Sequence, residues 1–507
     1  MSTVLAAISD AIGRWDRLTG HPAYRIVGVL IGLVVFVVVL NLPTPEGLTV
    51  PGQRTAAVAL LMALWWVGRV LPLAVTALLP IVAFPLLGVL SVGDAAAAYT
   101  HPLNVLMLGG MVIGHAMEEA DLHQRLVSAV LQPRFIRVSP SRVVLAMMVA
   151  CAVLSGLVSN TATMLMLLPV ALSLARICTD DPRQRTAFVL ALAYSASIGG
   201  LTTIIGTPPN AVLASLVPEV TFATWSAVGI PFVILALPVA WFVVTRIAIP
   251  LPRRFAEAPK APELPRWSLA EGLVLGLLGV ALVLWFTRSP IPLGPLTIPG
   301  WSEWFPPKWT SDALVAIGIA LLLFFIPALP KGRRKHEGSF LLTTARMEKG
   351  IPWNVLILLG GGFSLAAAVK ATALTEWLSG ATAGLTAIHD TLGTGLVGTA
   401  VVVLLISLFM TFTTEVTSNT ATSQIVLPVL LAGVASTGVV PLVWMVPATF
   451  SASCAFMMPV ATAPNAIAAE GGDVSPADMA WAGLVLNLLL VALAVIVSVV
   501  WVPLIFG

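Results

Sequence analysis

Ser159-Asn160-Thr161-Ala162-Thr163 stands in the middle of one long apolar stretch, and Ser418-Asn419-Thr420-Ala421-Thr422 stands in the middle of another. The two stretches, 141–176 and 396–436, are each close to two crossings long, at about 20 residues per crossing. Apolar, then polar, then apolar is the pattern of a re-entrant hairpin, which enters and leaves the membrane on one face. Irregular backbone at that depth is tolerated only where protein or a watery cavity covers it. Ser, Thr and Asn side chains can satisfy such backbone locally. They also serve as plain interhelical hydrogen-bonding residues, and a single cluster would fit that role. Two copies at matched positions point to a built site instead.

The surrounding chain reads as membrane throughout. Of its 507 residues 58% are hydrophobic and 10% charged, whereas a soluble domain carries about a quarter charged residues. The apolar runs are continuous rather than alternating, which excludes a β-barrel. Beyond the hairpins, spans are predicted at 24–42, 54–70, 71–90, 103–120, 186–217, 225–250, 268–287, 312–329, 353–373, 441–470 and 479–505. The fold class is therefore an all-α polytopic membrane protein with about eleven transmembrane helices and two re-entrant hairpins. Residues 1–20 hold Arg14, Asp16 and Arg17 and lack the apolar core of a cleavable signal, so 24–42 is read as a retained span. Cys151, Cys178 and Cys454 are scattered, without metal-binding spacing, and read as small packing residues.

Basic residues set the orientation. With the N-terminus in the cytoplasm and both long segments counted as hairpins, only Arg54, Arg288, Lys308 and Lys370 of the 26 Lys and Arg fall outside. Counting either segment as one crossing would weaken the asymmetry that normally fixes topology. The C-terminus then lies outside. Trp301, Trp304 and Trp309 in the outer loop 288–310 suit an interfacial belt.

The halves repeat. Leu106-Met107-Leu108-Gly109-Gly110, the first Ser-Asn-Thr cluster and Gly206-Thr207-Pro208-Pro209-Asn210-Ala211 come in that order. Leu358-Leu359-Gly360-Gly361, the second cluster and Ala461-Thr462-Ala463-Pro464-Asn465-Ala466 follow in the same order. The charge map puts the first hairpin's base inside and the second's outside, so the repeats are inverted, a transporter architecture. The organisation expected is an N-terminal segment and first span (1–53), repeat 1 (54–250), a cytoplasmic linker (251–267) and repeat 2 (268–507).

The chemistry follows from oxygens. Thr-Pro-Pro-Asn and Thr-Ala-Pro-Asn interrupt the helices 186–217 and 441–470, and proline at a mid-span break leaves carbonyls exposed. Paired breaks in corresponding positions point to a binding site. Gly199, Gly200 and Gly206 would allow close backbone approach. After each cluster the helix is expected to restart at Met164–Pro169 and Ser423–Pro428, its N-terminal N–H groups facing an anion. No Lys, Arg or His occurs in 143–175, 186–245, 396–440 or 441–507. A dianion held among these segments therefore lacks a side-chain cation, and Na⁺ bound by neutral oxygens would supply the missing charge. Glu415, the lone acid of 396–440, is expected to point into the outer vestibule, with a cation ligand or proton carrier as the alternatives. Glu118, Glu119 and Asp121 read as a solvated helix end. Nothing resembles a phosphate loop, a catalytic triad or an intramembrane metal set, so neither an ATP-driven pump, an enzyme nor a nucleic-acid partner is expected.

At these residues, over roughly 50–505, the chain resembles the divalent anion/sodium symporter family, the INDY-type dicarboxylate and citrate transporters. Both Ser-Asn-Thr motifs, both Thr-x-Pro breaks and the stretch from Gly109-Gly110 to Leu122-His123-Gln124-Arg125 carry the resemblance. It implies a homodimer in the inner membrane with an elevator-like transport domain. By motif matching it implies one Na⁺ site at Ser155, Ser159, Asn160 and a carbonyl near Gly206, and a second at Thr414, Thr417, Asn419 and a carbonyl near Ala461. The implied substrate contacts are Asn160, Thr161, Thr207, Ser418, Asn419, Thr420 and Thr462. Ala463 departs from the proline common at that place in the family and leaves the second break less constrained. The resemblance spans C4 dicarboxylates, citrate and sulfate as substrates, and both Na⁺-coupled symport and Na⁺-independent exchange.

Overall fold

Several helix starts are written into the sequence as a capping side chain followed by proline. Thr49 caps Gly52 N at 3.0 Å, Asp181 caps Arg183 N at 2.9 Å and Ser475 caps Asp478 N at 3.0 Å, each ahead of a proline in the first turn. The cap supplies an acceptor for an orphan N–H, and proline has no N–H to lose there. The structure, a computed structural model, describes residues 21–254, 266–293, 296–306, 308–327, 340–372, 374–378, 380, 383–391, 395–434 and 437–506. Arg14, Asp16 and Arg17, and 255–265 of the expected linker, lie outside the described residues.

Among the described residues eight helices are long and apolar enough to cross a membrane, from Pro22–Asn41 to the C-terminal Pro476–Phe506. Five shorter apolar helices accompany them. Most of these are the arms of the expected hairpins and one piece of a broken helix. The first hairpin runs Pro140–Ser155, turns, and returns as Asn160–Cys178. The second runs Leu396–Thr414 and returns as Asn419–Val434. Both predicted breaks are present: Pro182–Gly199 is followed by Pro208–Leu216, and Leu442–Ser453 by Ala463–Gly471.

Two expectations need correction. The stretch 71–90 is not one regular helix but two short ones, Leu73–Thr76 and Leu79–Leu86, parted at Ala77 and Leu78, where Pro80 lacks the N–H that would reach back to the Thr76 carbonyl. The hairpin return helices also start earlier than expected, at Asn160 and Asn419. Ser159 is the N-cap of the first, accepting from Ala162 N at 3.2 Å, and Ser418 accepts from Ala421 N at 3.4 Å in the second. Each Ser-Asn-Thr cluster is thus a helix N-terminus rather than a loop ahead of one.

The centre of the molecule is Pro182–Gly199, whose residues Ala187 to Gly199 are all buried. A helix apolar on every side belongs inside, and this one packs against both arms of the first hairpin and against Ala463–Gly471. Pro22–Asn41 is the opposite case, with Gly32 its one buried residue, and its apolar side chains face outward. Between Leu269–Phe286 and Asp312–Phe325, Ile291–Leu293 and Leu296–Ile298 pair as a short antiparallel ribbon, and Arg288 Nε reaches Asp312 Oδ1 at 2.5 Å.

Candidate binding cavity

One cavity of about 920 Å³ brings the repeated motifs together. Ser159, Asn160 and Thr161 line it from the first hairpin, and Thr417, Ser418, Asn419 and Thr420 from the second. Gly206 and Thr207 line it from the first break, and Ala461 and Thr462 from the second. Ser155 and Thr414 do not line it; both are fully buried behind the wall. Residues more than 250 positions apart in the chain therefore meet at one place.

On the first side the oxygens converge. The amide atom of Asn160 that faces inward lies 2.7 Å from Ser155 Oγ, 3.1 Å from the Ala196 carbonyl and 3.3 Å from the Gly206 carbonyl. With nitrogen in that position the amide donates to these oxygens. With oxygen turned in, the same atoms form a neutral oxygen cage, the donor set a hard cation takes. Ser155 Oγ also donates to the Ala196 carbonyl at 2.6 Å, which keeps the arm registered on the broken helix. Gly200 permits this: a methyl there would run into the Asn160 side-chain oxygen.

On the second side Asn419 Oδ1 is buried without a hydrogen-bond partner among the described residues. Thr417 Oγ1 donates to the Thr413 carbonyl at 2.8 Å and lies 2.7 Å from Thr422 Oγ1. Thr414 Oγ1 donates to the Met410 carbonyl at 2.9 Å. These hydroxyl oxygens keep lone pairs for a ligand. Thr462 caps the second half-helix by accepting from Asn465 N at 3.3 Å, whereas Thr207 makes no such cap. The half-helix forms with Ala463 in its first turn and Pro464 after it, so the missing proline is compensated by that cap.

Three features escaped the sequence reading. Asn210 Nδ2 donates to the Gly200 carbonyl at 3.0 Å and the Thr203 carbonyl at 2.7 Å, and Asn465 Nδ2 donates to Ala455 and Met458 carbonyls at 3.0 Å each. Their recurrence in both quoted motifs was the available signal. Secondly, Glu415 does not face a vestibule. It is 3% exposed, and its carboxylate accepts from the backbone N–H groups of Phe456, Met457 and Met458 and from Asn487 Nδ2. With both oxygens so engaged it is not placed as a cation ligand. Thirdly, the cavity does hold basic side chains. Arg25 lines it from Pro22–Asn41 and Arg69 from the turn after Val50–Val67, and Arg69 Nη2 lies 3.4 Å from the Val460 carbonyl. Arg69 sits in the left-handed region at φ 49°, a conformation costing about 1–2 kcal/mol in a non-glycine residue. The helix end Glu118 to Asp121 is not merely solvated, since Glu119 pairs with Arg346 at 2.9 Å and Glu118 with His115 at 3.2 Å.

The family profile described as sodium:sulfate symporter transmembrane region matches residues 23–507. The chain belongs to this family. It is thus a multi-pass membrane protein of a transporter family, consistent with its eight long apolar helices. The sodium-dependent dicarboxylate transporter SdcS of Staphylococcus saprophyticus is 34% identical over 504 residues, covering 95% of this chain and 92% of that protein. SdcS of Staphylococcus aureus is 33% identical over 506 residues, covering 96% and 92%. Among solved structures, the Alcanivorax borkumensis YdaH transporter shares the fold at a TM-score of 0.56 and 15% identity, covering 81% of this chain and 87% of its own. Neisseria gonorrhoeae MtrF, described as illuminating a class of antimetabolite efflux pumps, does so at 0.54 and 12%, covering 94% of each chain.

Proposed function

We propose that this protein is a secondary transporter that carries a C4 dicarboxylate such as succinate, malate or fumarate across the inner membrane together with Na⁺. The observation that carries the proposal is the Asn160 amide, whose inward atom meets Ser155 Oγ and two carbonyl oxygens. With the amide oxygen turned in, four neutral oxygens share one place, the ligand type a hard cation takes. The names of the SdcS relatives supply the dicarboxylate.

In this reading one Na⁺ sits with Ser155, Ser159, Asn160 and the Gly206 carbonyl, the other with Thr414, Thr417, Asn419 and the Ala461 carbonyl. The substrate carboxylates meet Asn160, Thr161, Thr207, Ser418, Asn419, Thr420 and Thr462. Two bound cations balance the two carboxylates, and two helix N-termini, each worth about half a positive charge, face the anion. The N-terminus lies in the cytoplasm and the C-terminus outside. The two inverted repeats, 54–250 and 268–507, sit in a homodimer and move as an elevator. The cavity walls that hold Arg25, Arg69 and Gly350 belong to the cytoplasmic side in this topology.

Arg25 and Arg69 favour a second reading, Na⁺-independent dicarboxylate exchange, since fixed guanidinium charge can replace a bound cation. Uptake of labelled succinate into proteoliposomes separates the two. Symport predicts accumulation driven by an inward Na⁺ gradient with empty vesicles. Uptake that ignores Na⁺ and requires internal dicarboxylate would establish exchange.

A further inference from the structure

The two halves repeat the same motifs around the binding loops, but one position differs in charge. Setting the Ser-Asn-Thr clusters in register pairs Ser155 with Thr414 and Gly156 with Glu415. Setting Thr207 against Thr462 pairs Leu201, Thr202 and Thr203 with Phe456, Met457 and Met458. In the first half two amides of this stretch are satisfied inside the turn: Leu201 N donates to Ile198 O at 3.1 Å and Thr202 N to Gly199 O at 3.0 Å. Gly156 has no side chain to offer, and one there would press on Thr202.

In the second half the helix ends at Ser453 and the next amides turn away from it. Phe456 N donates to Glu415 Oε1 at 2.8 Å, Met457 N to the same oxygen at 2.9 Å, and Met458 N to Oε2 at 3.0 Å. Asn487 Nδ2 donates to Oε1 at 2.6 Å. A buried carboxylate costs several kcal/mol unless it is paired or hydrogen-bonded in this way. Glu415 stands four residues before Asn419 on the hairpin, and Met458 stands three before Ala461 on the break. One side chain therefore ties together the two pieces of chain that supply the second oxygen set.

We propose that Glu415 is a positioning residue for cation binding in the second half: it fixes the distance between the hairpin oxygens and the Ala461 carbonyl. The inference rests on the sodium reading given above and assigns to the second site an anchor that the first lacks. In the first half Ser155 and Asn160 do that work by direct contact with the break. Groups that orient metal ligands without touching the metal typically cost about 10–100-fold in affinity when lost. An amide at position 415 would set its NH₂ against backbone N–H donors, so Glu415→Gln breaks the anchor at nearly constant volume.

The test is a Na⁺ titration of succinate uptake by full-length protein in proteoliposomes, with succinate KM measured at saturating Na⁺. Glu415→Gln is expected to raise the Na⁺ half-saturation about tenfold or more and leave the succinate KM at saturating Na⁺ near the parent value. Glu415→Asp should recover part of the shift, and Asn487→Ala should give roughly a threefold shift from one lost hydrogen bond. A folded Glu415→Gln with unchanged Na⁺ half-saturation overturns the inference, as does one altered only in succinate KM. If Glu415→Gln does not reach the membrane, Asn487→Ala decides, and an unchanged half-saturation there overturns it. Parent protein indifferent to Na⁺ would instead sink the sodium reading, and this inference with it.

Discussion

Asn210 and Asn465 do the same work in the two halves: each is fully buried and drives its side-chain nitrogen into a broken helix to donate to two carbonyls. The carbonyls are matched too, since Gly200 and Thr203 in the first half correspond to Ala455 and Met458 in the second. An unwound backbone inside a membrane needs such internal partners, because lipid supplies none. The asparagines staple the breaks and leave the next carbonyls, near Gly206 and Ala461, for a ligand.

Removing either staple should therefore have the same consequence. Asn210→Ala and Asn465→Ala each strand one carbonyl, that of Gly200 or Ala455, at about 1–3 kcal/mol for a buried group left unpaired; the other keeps a backbone donor, Gly206 N on Thr203 at 3.3 Å and Ala461 N on Met458 at 3.2 Å. Thermal melting of the detergent-purified variants should fall by similar amounts, and succinate uptake should fall with it. A large loss for one and none for the other would contradict the equivalence.

Asn160 and Asn419 are assigned to the ions and the substrate together. Asn160→Ala and Asn419→Ala should each abolish transport while expression and membrane insertion stay at the parent level, because the inward amide atom is not needed for the hairpin arms to pack. Uptake assays beside quantified membrane protein check this. Transport at the parent rate by either variant would remove that residue from the site.

Gly200 offers a milder perturbation of the same cage. Its missing side chain makes room for the Asn160 amide, whereas a methyl at Gly272 would meet nothing within 4 Å. Gly200→Ala should raise the Na⁺ half-saturation strongly, and Gly272→Ala should leave it unchanged. Equal behaviour of the two would mean that the Asn160 position does not matter.

Arg69, with Arg25, adds positive charge to a cavity lined elsewhere by neutral oxygens and apolar groups. Arg69→Gln should raise the succinate KM about tenfold, the lower end of what focused charge gives. The effect should shrink as choline chloride is added at fixed Na⁺, because salt screens charges beyond about 10 Å at 0.1 M. A KM shift insensitive to ionic strength would point to lost packing instead.

How far these features were legible depended on their physics. Hairpins and breaks were readable because they violate a strong rule: polar clusters and prolines do not interrupt crossing helices without cause. The stretch 71–90 reads as one regular helix because its apolar composition hides Pro80, which stands just past the break. Glu415 could not be placed by position alone, since its partners are backbone amides about 40 residues away that any sequence would supply. Arg25 and Arg69 sat at helix ends, where charge is ordinary, and only the packing of those helices brings them to the cavity.

The most direct measurement is equilibrium binding of labelled succinate to the purified protein in Na⁺ and in K⁺ at equal ionic strength. Binding that is strong in Na⁺, steepens with more than one ion, and is lost in K⁺ is the predicted result, since the bound cations make the dianion tolerable between two neutral loops. Equal succinate affinity in the two salts would contradict it.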